Sequence, residues 1–128
     1  MKRLLTYILT ITATLLCVSC SAGKTELDYI ETYMNERPDS ALQVLQSIDI
    51  SSLTSNEVNH YHLLLAQAKD KCYIDETDDS IMLGVVDHYK SKSDFIKLFR
   101  AYYYLGRIQQ NVGRDTDAMY SYTEAEQL

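Results

Sequence analysis

Cys17 and Cys20 in "CVSC", the histidines His60, His62 and His88, the acidic run "DETDDS" at 75–80 and the stretch "FRAYYYLGRIQQN" at 99–111 are the places where residue types could do chemistry. Two cysteines three apart can hold a metal or a redox disulfide, but that chemistry needs a second ligand pair or a strand–helix unit, and neither follows. His60 and His62 are two apart, which turns them ~200° from one another on a helix, so they do not share a metal. His88 has no carboxylate at an evident ligand spacing. The acidic run lacks the glycine that an EF-hand calcium loop needs at its sixth position, and reads as a solvated loop and helix lead-in. There is no phosphate-cradling glycine loop, no Gly-x-Ser-x-Gly and no Cys–His nucleophile pair. The expectation is a chain that is not an enzyme, with no cofactor and no metal site.

Three adjacent tyrosines in a chain with no tryptophan and two phenylalanines invite three readings: a reactive phenol, a stacking platform, or helix packing. At 100° per residue, Phe95, Leu98, Phe99, Tyr102, Leu105 and Gly106 share one face, so Tyr102 is expected in the core beside a glycine that permits close helix approach. Tyr104 falls nearly opposite. Tyr103 falls with Arg100, Arg107, Gln110 and Asn111 on a third, mostly polar sector. Those arginines can belong to a solvated face paired with nearby acids, or to a groove where they grip carboxylates in two-pronged fashion beside a tyrosine. Carbohydrate stacking on Tyr103 or Tyr104 is a further alternative. Nothing in the sequence supplies a base or cofactor to activate a tyrosine.

The elements that must carry these residues are helical. The chain has 128 residues, one proline and four glycines, enough for one domain with few breaks. Apolar residues at helical spacing predict helices at about 25–36, 39–49, 55–72, 78–91, 94–112 and 115–127. Asp39 or Ser40 is expected to cap the second, Ser55 the third, and Gly113 to end the fifth. The formal charge is −6, and the first nineteen residues hold Lys2 and Arg3 but no acid; without them 10 basic face 18 acidic side chains, a net of −8. That body is a poor fit to nucleic-acid phosphates and is repelled by anionic lipid headgroups. Membrane attachment must come from elsewhere.

Met1-Lys2-Arg3 followed by an apolar run from Leu4 to Leu16 has the layout of a secretory signal peptide. Thirteen helical residues rise only ~20 Å, short of a ~30 Å hydrocarbon core. Val18-Ser19-Cys20 resembles the lipobox of bacterial lipoproteins, with Cys17 where that family prefers leucine. The resemblance implies removal of 1–19, acylation of Cys20, and a tether over 20–24. Serine after the acceptor, by resemblance to sorting rules of enteric bacteria, points to the outer rather than the inner membrane of the cell envelope, with the body facing the periplasm or exterior. With Cys17 removed and Cys20 acylated, Cys72 is the one thiol left, so the fold must stand without an internal disulfide.

"PDSALQVLQSI" at 38–48, "DDSIMLGVVDH" at 78–88 and "DTDAMYSYTEA" at 115–125 line up at a near-constant period, as do "YHLLLAQA" at 61–68 and "AYYYLGRI" at 101–108. From Phe99 onward the pattern resembles the tetratricopeptide repeat: Tyr102 at the first aromatic position, Leu105-Gly106 at the Leu-Gly pair, Gly113 in the loop, and Ala118, Tyr122 and Ala125 at the packing positions of the second helix. Gln109 and Asp115 depart from that pattern. The earlier copy keeps Leu65-Ala66 and has His62 for the aromatic, and 25–49 is a degenerate first copy. The resemblance, narrowed to the N-terminal part of bacterial tetratricopeptide lipoproteins, implies an all-α solenoid of about three antiparallel helix hairpins over 25–128. It also implies that Arg100, Tyr103, Arg107, Gln110 and Asn111 line a concave groove for a protein or peptide partner. Two alternatives stand beside this scaffold: a carbohydrate-binding accessory lipoprotein of a nutrient-uptake system, and the truncated N-terminal part of a longer sensor or regulator. Met119, Tyr122 and Ala125 are expected to leave an apolar stripe on the last helix, open to self-association or to another chain.

Overall fold

The structure, a computed structural model, describes residues 22–128, and all regular structure among them is helical. Cys20, the signal segment 1–19 and the first residues of the tether lie outside the described residues. Six α-helices follow one another: α1 (Ala22–Tyr33), α2 (Pro38–Ser47), α3 (Ser55–Lys71), α4 (Ser80–Lys92), α5 (Phe95–Asn111) and α6 (Asp115–Glu126). A single 3-10 turn, Ile50–Ser52, links α2 to α3. Residues 22–24, expected in the tether, are already in the first turn of α1.

The helix starts show which local chemistry prevailed. α2 opens on Pro38 itself, with Arg37 before it and no side-chain cap, instead of a cap from Asp39 or Ser40. Proline's fixed φ and missing N–H suit the first helical position, so no capping oxygen is required there. α3 is capped by Thr54 rather than Ser55: the Glu57 amide donates to Thr54 Oγ1 at 3.4 Å, and the Thr54 amide donates to Glu57 Oε2 at 2.8 Å. This reciprocal box satisfies two of the donors a helix start leaves open. Asp94 caps α5 by accepting from the Lys97 amide at 3.1 Å. Gly113 follows α5 at φ 74, where a side chain is strained.

Each helix packs on the next, and α3 also touches α1 and α5, so α1, α3 and α5 form a row. Two apolar cores result. Leu27, Ile30 and Met34 of α1 meet Ala41, Leu42 and Leu45 of α2 and Tyr61, Leu64 and Ala68 of α3. The second core joins Leu63 and Ala66 of α3 to Met82, Val85, Val86 and Tyr89 of α4, then to α5 and to Ala125 of α6. Leu63 and Leu64 are adjacent yet both wholly buried, one in each core. That double burial accounts for the unbroken apolar stretch 63–66 in the middle of α3.

Burial corrects three expectations on α5 and α6. Tyr102, Leu98 and Leu105 are buried as expected, but Phe95 and Phe99, placed on the same face, are 58% and 47% exposed. Tyr104, expected away from the core, is buried, because α3, α4 and α6 all pack on α5 and enclose more than one face. The apolar stripe expected on α6 narrows to Met119: Ala125 is in the core, and Tyr122 lies half-buried on Gly106. A Cβ at Gly106 would stand 2.5 Å from Tyr122 Cε1, so this glycine does set the approach of α6 to α5.

Candidate functional site

Polar side chains tie the row of α1, α3 and α5 together. His60 and Gln67 are seven residues apart, two turns along one face of α3, and both are buried. His60 Nε2 donates to Glu31 Oε2 of α1 at 3.0 Å. Arg100 of α5 donates through Nη1 to the other oxygen of Glu31, and through Nη2 to Gln67 Oε1. Gln67 passes the contact on to the turn after α1, donating to Asn35 Oδ1 at 3.5 Å. The hydrogen bond from His60, and after it the Arg100 charge, hold the Glu31 carboxyl down at about 2 against its partial burial. Glu31 is therefore the anionic hub on which a histidine, an arginine and three helices converge.

Beside this hub lies an open cavity of about 450 Å3, bordered by Glu31, Asn35, Gln67, Arg100, Tyr104 and the exposed rings of Phe99 and Tyr103. Of the five groove residues expected from sequence, Arg100 and Tyr103 are here. Arg107 lies one turn on and donates through Nε to Asp70 Oδ1 at 2.8 Å and through Nη1 to Gln110 Oε1 at 3.2 Å. The Tyr122 hydroxyl also donates to Gln110, so Gln110 faces α6 and borders a separate cavity of about 440 Å3 there. Asn111 donates to the Glu76 carbonyl at 3.1 Å and holds the α3–α4 loop. The five therefore run as a row along α5 rather than lining one pocket, and each arginine holds a carboxylate of its own chain.

The tyrosines divide as burial dictates. Tyr103 is 40% exposed and packs edge-on to Tyr104 and tilted to Tyr122. Burial pushes the Tyr104 phenol up to about 12, so it stays neutral at physiological pH. Gln109, at a position where the resembled family often has an aromatic, is buried and accepts from the Ser121 hydroxyl at 2.7 Å.

On the other side of His60, Asp28 Oδ1 stands 3.9 Å from Nδ1. Asp28, Glu31 and His60 thus bring three potential ligand atoms within 4.8 Å of one another. Asp28 and His60 border a cavity of about 420 Å3 that also meets Thr54, His88, Tyr89 and Lys97. The Tyr89 hydroxyl is buried without a hydrogen-bond partner. His62 is half-buried, edge-on to Tyr61, and takes no part in this group. Sequence reading missed Glu31, Gln67 and Asp28, because α1 meets α3 across about thirty intervening residues and no local spacing joins them. No helix among the described residues is long and apolar enough to cross a membrane. No protein-family model, curated protein or solved structure matches this chain.

Proposed function

We propose that this chain is a lipid-anchored scaffold that holds an extended segment of a partner protein along the row of α1, α3 and α5, in the manner of the tetratricopeptide repeats it resembles. In this reading α1–α2, α3–α4 and α5–α6 are three stacked hairpins and the row is their concave face. The supporting observation is the contact of alternate helices in one line, with the exposed rings of Phe99 and Tyr103 bordering a cavity of about 450 Å3 on it. A buried helix pair alone would leave no reason for two aromatic edges beside a polar network. Arg100 and Arg107 are held by Glu31 and Asp70, so they fix the surface. The contact then falls to the rings of Phe99 and Tyr103, with Asn35 and Gln110 offering amides to a partner's backbone. Such a face selects apolar or aromatic partner side chains. Anchoring through a lipid on Cys20 in the cell envelope completes the proposal, with no catalytic role.

A photo-crosslinking residue at Tyr103 tests the face. A discrete crosslinked protein from position 103, and none from Lys90 on α4, supports it; crosslinks from position 90 alone overturn it. Clickable fatty-acid labelling that is lost in Cys20→Ala supports the anchor, and labelling that survives in Cys20→Ala but not in Cys17→Ala overturns the assigned acceptor. The carbohydrate alternative keeps one observation, the exposed Tyr103 ring beside Phe99, because Tyr104 is buried. Glycan binding lost in Tyr103→Ala would favour it over the scaffold.

A further inference from the structure

We propose that Asp28, Glu31 and His60 form a site for one exchangeable divalent transition-metal ion, of the zinc or cobalt class, at the junction of α1 and α3. Asp28 and Glu31 are three apart on α1, so both carboxylates rise from one face of the helix. His60 comes to that face from α3, and ligand atoms from all three residues lie within 4.8 Å of one another. A tetrahedral ion with ligand bonds of ~2.0–2.2 Å needs its ligand atoms about 3.3 Å apart. His60 Nε2 and Glu31 Oε2 already stand at 3.0 Å. Asp28 Oδ1 stands 3.9 Å from the other ring nitrogen, Nδ1, and its side chain, 55% exposed, has the freedom to swing to the Nε2 side and join the ion.

One imidazole with two carboxylates favours zinc, cobalt or nickel over calcium or magnesium, which take all-oxygen sites. The outer layer is in place: Arg100 holds the far oxygen of Glu31, and Gln67 in turn holds Arg100. The arginine charge opposes a cation, which makes the ion exchangeable rather than permanent. Binding replaces the proton on His60 Nε2, which leaves to solvent.

A second observation lies across the cavity that Asp28 and His60 border. Tyr89 borders it too, is 95% buried by its 5% exposure, and has a hydroxyl with no partner. A buried hydroxyl left unpaired costs free energy, and a small turn of the ring toward that cavity would let a metal-bound water or anion satisfy it. Three protein ligands leave such a coordination position free. The bound ion would stitch α1 to α3 at the place where the Glu31–His60 hydrogen bond joins them without it.

The test is a Co2+ titration of the reduced full-length chain, followed by visible absorption and competition with Zn2+. One equivalent should develop visible ligand-field bands with no near-ultraviolet thiolate charge-transfer band, and Zn2+ should bleach them. Asp28→Asn, on an exposed side chain and therefore safe for folding, and His60→Gln should each weaken binding by more than about 100-fold, beyond the loss of a merely orienting partner. His62→Gln and His88→Gln should leave the spectrum unchanged. Absence of the bands, bands with thiolate character that survive His60→Gln, bands that survive Asp28→Asn, or bands lost in the His62 or His88 variant would each overturn the site.

Discussion

Gly106→Ala asks whether a helix-interior glycine is a weakness or a fitted part. By propensity alone, alanine in the middle of α5 should stabilise by about 0.5–1 kcal/mol. The added methyl, however, would lie 2.5, 2.8 and 2.9 Å from three ring atoms of Tyr122. The ring is half-buried and must swing away, giving up its tilted packing on Tyr103 and its 3.2 Å hydrogen bond to Gln110. Those contacts are worth roughly 0.5–1.5 kcal/mol each. The net is a loss of about 1 kcal/mol, or about 4–8 °C in Tm for a domain of this size. In a Tyr122→Ala background the clash is gone, and the same substitution should stabilise by about 0.5–1 kcal/mol. Thermal and urea unfolding of the four proteins close the cycle, with an expected coupling of about 1.5–2 kcal/mol, within the range for touching residues. A rise in Tm for Gly106→Ala in the wild-type background, or equal shifts in both backgrounds, would refute the close α5–α6 approach.

Three further outcomes follow from titrating groups and backbone strain. Glu31 is depressed from 4.5 to about 2 in the fold, so its stabilisation is fully present above about pH 4.5 and is lost as pH falls toward 2. The full shift converts to roughly 3 kcal/mol, but a side chain one-third exposed is screened, leaving about 1–2 kcal/mol. In chelator, the stability gap between wild type and Glu31→Gln should therefore shrink between about pH 6 and about pH 3, and a constant gap would contradict it. Burial pushes Tyr104 up to about 12 and Tyr89 higher, so both stabilise the fold below pH about 10 and lose that contribution as pH rises past 10. Phenolate absorbance should show a late fraction that ionises with unfolding, and a single early titration of all tyrosines would exclude it. Tyr73 ends α3 at φ 58 with its side chain 95% exposed, so Tyr73→Gly relieves left-handed strain and should stabilise by about 0.5–1 kcal/mol. A lowered Tm would show that the ring does more than its exposure indicates.

Period and punctuation made the six helices legible, and each boundary lies within about three residues of its expectation. Helical periodicity is a local property, and Pro38 and Gly113 are local signals; Thr54-x-x-Glu57 is one too, though the expectation fell on Ser55. Gly106 was legible for the same reason, as a small residue in an otherwise apolar stripe. Tyr104 was not: a wheel drawn for one contact face fails on a helix that three others pack against. Phe99 was placed on the face of Tyr102 by the same wheel and stands 47% exposed beside the Glu31 cavity instead. The hub of Glu31, His60, Arg100 and Gln67 had no sequence trace, because its members come from three helices as much as 69 residues apart. Arg100 was picked out on a polar sector and His60 was weighed only against His62; the partners of both are revealed only by the packing of α1, α3 and α5.

The double burial of α3 dictates when the chain can close. Tyr61, Leu64 and Ala68 are the third wall of the first core, so α1 and α2, once made, have no complete shelter for Leu27, Ile30 and Leu45. At ~5–20 residues per second, a ribosome takes about 1–4 s to extend the chain from Ser47 to Ala68. For that interval the first pair of helices stays open and sticky, with its apolar face waiting for a helix not yet synthesised.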